Sequence, residues 1–390
     1  AYLLLKLDHY QLLHILNLFL RKFTNMNAYN PLRTILFVII SIWYFASYAQ
    51  FQFIYNDSLP IIKLGNTLKY PWAGGLNFSQ FSELDFDYDG DMDLVVLDRS
   101  NDQIRLFEHV VQGANHSYLF NHFGESYFPS DVRYRLFLAD YNLDGKNDIF
   151  TYGIGGVKVY RNSGDASIGL QWTLEKNLLY SDYNGLNMGL YVSSADIPAI
   201  VDVDGDLDLD ILTFSIAGDH LEYHKNMSKE LFGHCDSLIY VLKNKCWGGF
   251  REEVTSNAIT LFDNSTLCTT GNVPNPELPV NIKPEAEEKA HSGSTLLALD
   301  IDQSGVLDAL IGDVAYGNLN FLTNSGNLPN TNSLMNAVDP AFPSNSIPLN
   351  LQIFPGSFYL DVDFDGKKDL ICSPNAKGTS ENEKSIWQYK

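Results

Sequence analysis

The strongest constraint on this chain is a nine-residue stretch that it repeats five times. The copies run Asp85–Asp93, Asp140–Asp148, Asp202–Asp210, Asp300–Asp308 and Asp361–Asp369. Oxygen-bearing side chains fall at positions 1, 3, 5 and 9 of every copy. They are Asp85, Asp87, Asp89 and Asp93; Asp140, Asn142, Asp144 and Asp148; Asp202, Asp204, Asp206 and Asp210; Asp300, Asp302, Ser304 and Asp308; Asp361, Asp363, Asp365 and Asp369. Position 6 is glycine in four copies and Leu207 in the third. A hard cation such as calcium takes six to eight oxygens at about 2.3–2.6 Å, which a short loop supplies only with small carboxylates and a tight turn. Position 7 adds its backbone carbonyl, at Asp91, Lys146, Asp208, Val306 and Lys367. Glycine at position 6 permits the bend. One such stretch alone reads as a solvated acidic turn. Five on one template, with carboxylates that repel one another unless neutralised, read as an array of Ca2+ loops with up to one ion each.

The flanks decide which kind of loop this is. An EF-hand needs a bidentate Glu at position 12 and a helix on each side. Position 12 is Val96, Thr151, Thr213, Ile311 and Cys372, with no acid among them. Runs such as Leu94-Val95-Val96-Leu97 and Ile211-Leu212-Thr213-Phe214 follow the loops, and Leu296-Leu297-Ala298-Leu299 and Phe358-Tyr359-Leu360 precede them. These are strand-like, so each loop is expected to join the two strands of a hairpin. A third strand recurs beyond, as Val157–Asn162, Leu221–Asn226 and Leu319–Asn324, with a looser version at Ile104–Glu108.

Loop starts lie 55, 62, 98 and 61 residues apart. A period near 60 with three or four strands per unit is the size of a propeller blade. The interval of 98 marks an insertion, placed at 227–290, which holds Cys235, Cys246 and Cys268 and the Pro/Glu-rich stretch Pro274–Glu288. The hydrophobic content of 45% is ample for a large core. The formal charge of −21 is largely metal-loop charge: the loops hold 20 of the 47 acids, and five calcium ions would bring it to −11. That balance argues against nucleic acid or an anionic membrane as partner.

Before the repeats, Met26 opens a segment with one basic residue, Arg33, an apolar stretch Ile35–Phe45 and the small-residue ending Ala46-Ser47-Tyr48-Ala49. This reads as a secretory signal peptide over 26–49; the apolar run is shorter than the roughly 20 residues of a membrane span. Residues 1–25 read as an over-extended gene start or a genuine extension. The propeller is expected over 50–390. Ile386–Lys390 matches the recurring third strand up to one residue before its Asn, as in a piece of a longer protein. The cysteines suit an oxidising compartment, with Cys235–Cys246 the most local pairing and Cys372 a free core thiol.

Repeated Asp-x-Asp-x-Asp-Gly-x-x-Asp followed by an apolar strand resembles the FG-GAP/VCBS repeat family over about Leu68–Lys390. With Tyr70-Pro71-Trp72-Ala73-Gly74-Gly75 and Cys246-Trp247-Gly248, the chain is similar to secreted FG-GAP proteins of Bacteroidota, commonly exported with a C-terminal sorting domain. The resemblance implies an all-β, integrin-α-like calcium-binding propeller, commonly seven-bladed, of which five repeats would form an open arc or incomplete ring unless Gln50–Ser79 completes a blade. It implies structural calcium at one rim and partners on the opposite face: a secreted or cell-surface, non-catalytic adhesion module that binds protein or polysaccharide. The alternative is an FG-GAP-containing secreted enzyme of polysaccharide lyase or phospholipase type, with its site on the propeller or in a further domain. Leu207 at position 6 and Ser304 at position 5 depart from the template, and the fourth loop ranks as the weakest site.

No nucleophile elbow, zinc-protease helix or phosphate loop is present in the sequence. His220 and His224 share a spacing that suits a metal, against a simpler reading as a solvent-facing pair beside Tyr223. No catalytic residue and no organic cofactor is expected.

Overall fold

Every loop connects the two strands that the apolar runs predict. In this computed structural model, Ser79–Leu84 pairs with Asp93–Asp98, Leu136–Ala139 with Asp148–Gly153, Ala199–Val201 with Asp210–Phe214, Ser294–Leu299 with Asp308–Asp313, and Pro355–Leu360 with Asp369–Pro374, all antiparallel. The recurring strand adds third, as Gln103–Gln112, Gly156–Asn162, Leu221–Asn226, Leu319–Asn324 and Trp387–Tyr389. A fourth strand completes the first four sheets: Asn115–Asn121, Trp172–Lys176, Tyr240–Trp247 and Met335–Asp339. These are the five blades of a β-propeller within the compact unit Lys69–Lys390. The structure describes residues 56, 59–74, 76–216, 218–253, 256–261, 294–379, 381 and 384–390. The expected signal peptide, the extension 1–25, Cys268 and Pro274–Glu288 lie outside them. A short hairpin, Ile62–Lys63 with Asn66–Thr67, belongs to the other unit, Ala1–Leu68. No helix among the described residues is long and apolar enough to cross a membrane.

Blade packing explains the apolar runs. The second strand of a blade is covered on both faces by neighbouring blades, so it reads as continuous hydrophobics rather than as alternation. Asp210–Phe214 and Asp308–Asp313 are buried at every position. Each junction has its own core: Leu97 and Leu136 between blades 1 and 2, Phe150 and Ile211 between 2 and 3, Leu212 and Ile311 between 3 and 4, Leu310 and Cys372 between 4 and 5. The fifth core joins Phe81 and Val96 of blade 1 to Phe358, Leu360 and Ile371 of blade 5.

That fifth core corrects the expected open arc. Five blades close on themselves in this structure, with Ser79 donating its amide to the Ser373 hydroxyl across the seam. Among the described residues Gln50–Ser79 forms no further blade; only Ser79 enters one, at the start of blade 1. First strands from all five blades line a central cavity of about 440 Å³. Two arginines, Arg135 buried and Arg99 half-buried, tie blades together at the end of the inner strands away from the loops. Arg135 donates to the carbonyls of Asp196, Gly156 and Val192, and Arg99 to the Ser194 carbonyl and to Asn375. Burial lowers both guanidinium pKa values to about 10, so both stay charged at neutral pH.

The insertion also needs redrawing. Its early part is the fourth strand of blade 3, Tyr240–Trp247, which Tyr180–Asp182 extends in parallel and Asn187–Gly189 extends further, giving six strands. The 98-residue interval therefore contains the blade's own edge as well as an added segment. Cys235 is a buried free thiol, so it is not bridged to Cys246; Cys372 is a buried free thiol, as expected.

Candidate metal centres at the loop rim

The five loops share one backbone design. Positions 4 and 6 both take the left-handed conformation: Tyr88 and Gly90, Leu143 and Gly145, Gly205 and Leu207, Gln303 and Gly305, Phe364 and Gly366, with φ between 59° and 96°. Two such residues, one either side of position 5, curl the chain so that alternate side chains point inward. The third loop has its glycine at position 4 instead, leaving Leu207 at φ +81°. Loop residues Met92, Asn147 and Lys368, all at position 8, line the cavity together, which puts the first, second and fifth loops at one mouth. Asn147 donates to the Glu83 carbonyl, and Lys368 pairs with the Glu83 carboxylate at 3.3 Å.

Position 9 is a staple as well as a candidate ligand. One oxygen of each position-9 aspartate accepts the amide of position 2, from Phe86, Tyr141, Val203, Ile301 and Val362. In four blades the other oxygen accepts an amide of the third strand, within it at His109 and at its end at Asn162, Asn226 and Asn324, at 2.7–2.8 Å. All five of these aspartates are at most 2% exposed. Burial raises Asp93 and Asp148 to about 7 and Asp210 to about 8, against the pull of those amides.

Positions 1 and 3 are common to the inward clusters, joined by position 9 or position 5. Position 1 accepts the position-6 amide in every loop. In the first and fourth loops the carboxylates of positions 1, 3 and 9 (Asp85, Asp87, Asp93; Asp300, Asp302, Asp308) bring oxygens within 4.8 Å of one another. In the third and fifth it is positions 1, 3 and 5: Asp202, Asp204, Asp206 and Asp361, Asp363, Asp365. The donor set is entirely oxygen, with no thiolate or imidazole among these residues, which suits a hard cation. In the second loop Asn142 donates to Asp144, and Lys146 pairs with Asp144 at 3.3 Å. The fourth loop, expected to be weakest, gathers the same three positions as the first.

Three features lay beyond the sequence reading. Lys225, on the third strand of blade 3, points its ammonium into the third loop and pairs with Asp204, with Asp206 at 2.8 Å and with Glu230 at 2.5 Å. The recurring Asn residues turn out to mark the position-9 staple. In blade 1 a histidine holds that place: His109 Nδ1 lies 3.1 Å from Asp91, its Nε2 2.9 Å from His116, and its ring stacks on Phe364 of blade 5 at 4.3 Å. By contrast, His220 and His224 are no solvent-facing pair. His224 is fully buried against the Ser181 hydroxyl, and His220 bonds Asp219 at 2.6 Å.

Neither a protein-family model nor a curated protein matches the chain. Among solved structures it is similar to an Agrocybe aegerita lectin that recognises non-reducing terminal N-acetylglucosamine, at 15% identity and a TM-score of 0.33. It is also similar to the Tc holotoxin pore of Photorhabdus luminescens, at 12% identity and a TM-score of 0.32. These alignments cover 77% and 76% of this chain but only 61% of the lectin chain and 11% of the toxin chain.

Proposed function

We propose that the chain is a secreted or cell-surface, non-catalytic propeller of the FG-GAP/VCBS kind. Its loops hold structural calcium, and its other face meets an extracellular protein or polysaccharide. The observation that carries this reading is the convergence of loop carboxylates, whose oxygens lie within 4.8 Å of one another in four of the five loops. Like charges held this close favour a bound cation. Asp85, Asp87 and Asp93, and Asp300, Asp302 and Asp308, would hold the ion in the first and fourth loops. When bound, calcium supplies the positive charge that offsets their repulsion. The chain's own part is to keep the cluster assembled: position 1 fastens the turn, and position 9 ties it to the blade.

Extracellular sites of this kind bind at about 10⁻⁴–10⁻³ M. At tenfold over Kd, mass action adds about 1.4 kcal/mol per occupied loop. Thermal melting in millimolar calcium and in excess chelator tests the reading. Chelation should lower the melting temperature by several degrees, with more than one ion released per chain. An unchanged melting temperature and no bound ions would remove the basis for calcium.

A further inference from the structure

We propose that Lys225 is the resident cation of the third loop, so that this loop takes no divalent ion while the lysine is in place. The inference rests on the calcium reading for the other loops and concerns which of them the chain neutralises for itself.

The loops fall into two classes. In the first, second and fourth, the position-5 amide donates to the position-3 side chain: Asp89 to Asp87, Asp144 to Asn142, Ser304 to Asp302. That bond holds position 3 over the turn. In the third and fifth loops position 3 is turned to a lysine, and the position-4 amide, from Gly205 or Phe364, donates to position 1. Both lysines occupy one register place. Ile211, just after the third loop, pairs with His224, and Leu370, just after the fifth, pairs with Tyr389; the next residues are Lys225 and Lys390. Lys390 reaches Asp363, and Lys225 reaches Asp204. Thr323 stands at the same place in blade 4 and Glu108 in blade 1, so neither can supply an ammonium.

The two lysines differ in surroundings. Lys390 has 66% of its side chain exposed, and an ion pair that open to water is weak. Lys225 has only 7% exposed and contacts three carboxylates, the third, Glu230, supplied by the short helix Ser228–Phe232. Its ammonium is bonded to two of the three carboxylates that would otherwise converge on an ion. An ammonium satisfies carboxylates from about 2.8 Å with three donors, whereas calcium draws six or more oxygens to about 2.4 Å. The two cannot share the cluster. Asp204 Oδ1 and Asp208 Oδ1 are buried without a hydrogen-bond partner, so removing the lysine leaves carboxylate oxygens ready for an ion.

Native mass spectrometry and calorimetric titration with calcium chloride count the ions on the wild-type chain, on Lys225→Met and on Asp204→Asn. Lys225→Met should bind one ion more than wild type, and Asp204→Asn the same number as wild type. An unchanged count in Lys225→Met, or the loss of an ion in Asp204→Asn, would overturn the assignment. If Lys225→Met does not fold, the Asp204→Asn count decides alone. A wild type without ions whose Lys225→Met variant gains one upholds the role of Lys225 and refutes calcium in the other loops; both fail if neither form binds.

Discussion

Leu207 holds a backbone conformation that its sister loops give to glycine. Its φ of +81° costs an L-residue roughly 1–2 kcal/mol, while glycine loses about 0.5–1 kcal/mol more chain entropy on folding. The side chain is 58% exposed, so little apolar burial is at stake. The balance favours Leu207→Gly by about 0.5–1 kcal/mol, read as a rise in melting temperature in chelator; a fall would mean that Leu207 is not strained. Glu252 presents a different conflict. It is fully buried, neither carboxylate oxygen has a hydrogen-bond partner, and burial, then the neighbouring Asp313, raises it from 4.5 to about 8. The folded chain therefore holds a proton that the unfolded chain releases above pH 4.5. Glu252 makes its full contribution below that pH and loses it progressively up to about 8. Glu252→Gln should flatten this decline and raise stability at pH 8 by about 1–3 kcal/mol. Parallel pH–stability curves for the two proteins would refute the shift.

Among the elements, the hairpins were legible because their signals are local. Nine residues fix the loop, and the apolar runs on either side fix its strands. The second strand of each blade, as in Leu94-Val95-Val96-Leu97, was readable from composition alone because both its faces are buried. What stayed hidden depends on pairing between distant strands. Asn162, Asn226 and Asn324 were visible as a repeat, but their bond to the position-9 aspartates exists only in the register of the third strand. The ion pairs of Lys225 follow from the same register. Tyr240–Trp247 looked like part of an insertion because spacing was measured from loop to loop. Nothing within that segment announces that Leu221–Asn226 pairs with one edge and Tyr180–Asp182 with the other. His224 was misjudged for a related reason: the extra strands beyond Tyr240–Trp247 bring Ser181 over it.

At the scale of the whole molecule, the repeat period sets the size of a blade, whereas the number of blades is decided by how side chains meet across junctions. The sequence therefore held the propeller but not its closure at five. The closing seam also has a small core. Five buried apolar side chains fill it, as many as between blades 4 and 5, against fourteen between blades 3 and 4. Polar and aromatic contacts supplement it: Lys368 with Glu83 at 3.3 Å, Tyr118 donating to the Asp361 carbonyl at 3.4 Å, and His109 stacked on Phe364. Surface pairs of this sort add at most about 1 kcal/mol each, so the apolar contacts decide the seam. Phe358 is central to them, edge-on to Phe81 with ring centroids 5.5 Å apart. Phe358→Ala should cost about 3–5 kcal/mol through lost burial and the cavity left behind. Because the two blades at the seam are joined by packing and not by consecutive chain, that loss should appear first as local opening. Native-state amide exchange should then speed up in Ser79–Leu84 and Pro355–Leu360 while Ser294–Leu299, in the larger junction, keeps its protection. Leu212→Ala, placed in that larger junction, should not open the seam selectively. Equal acceleration in all five first strands of Phe358→Ala would mean that the ring opens only as a unit, with the seam no weaker than the rest.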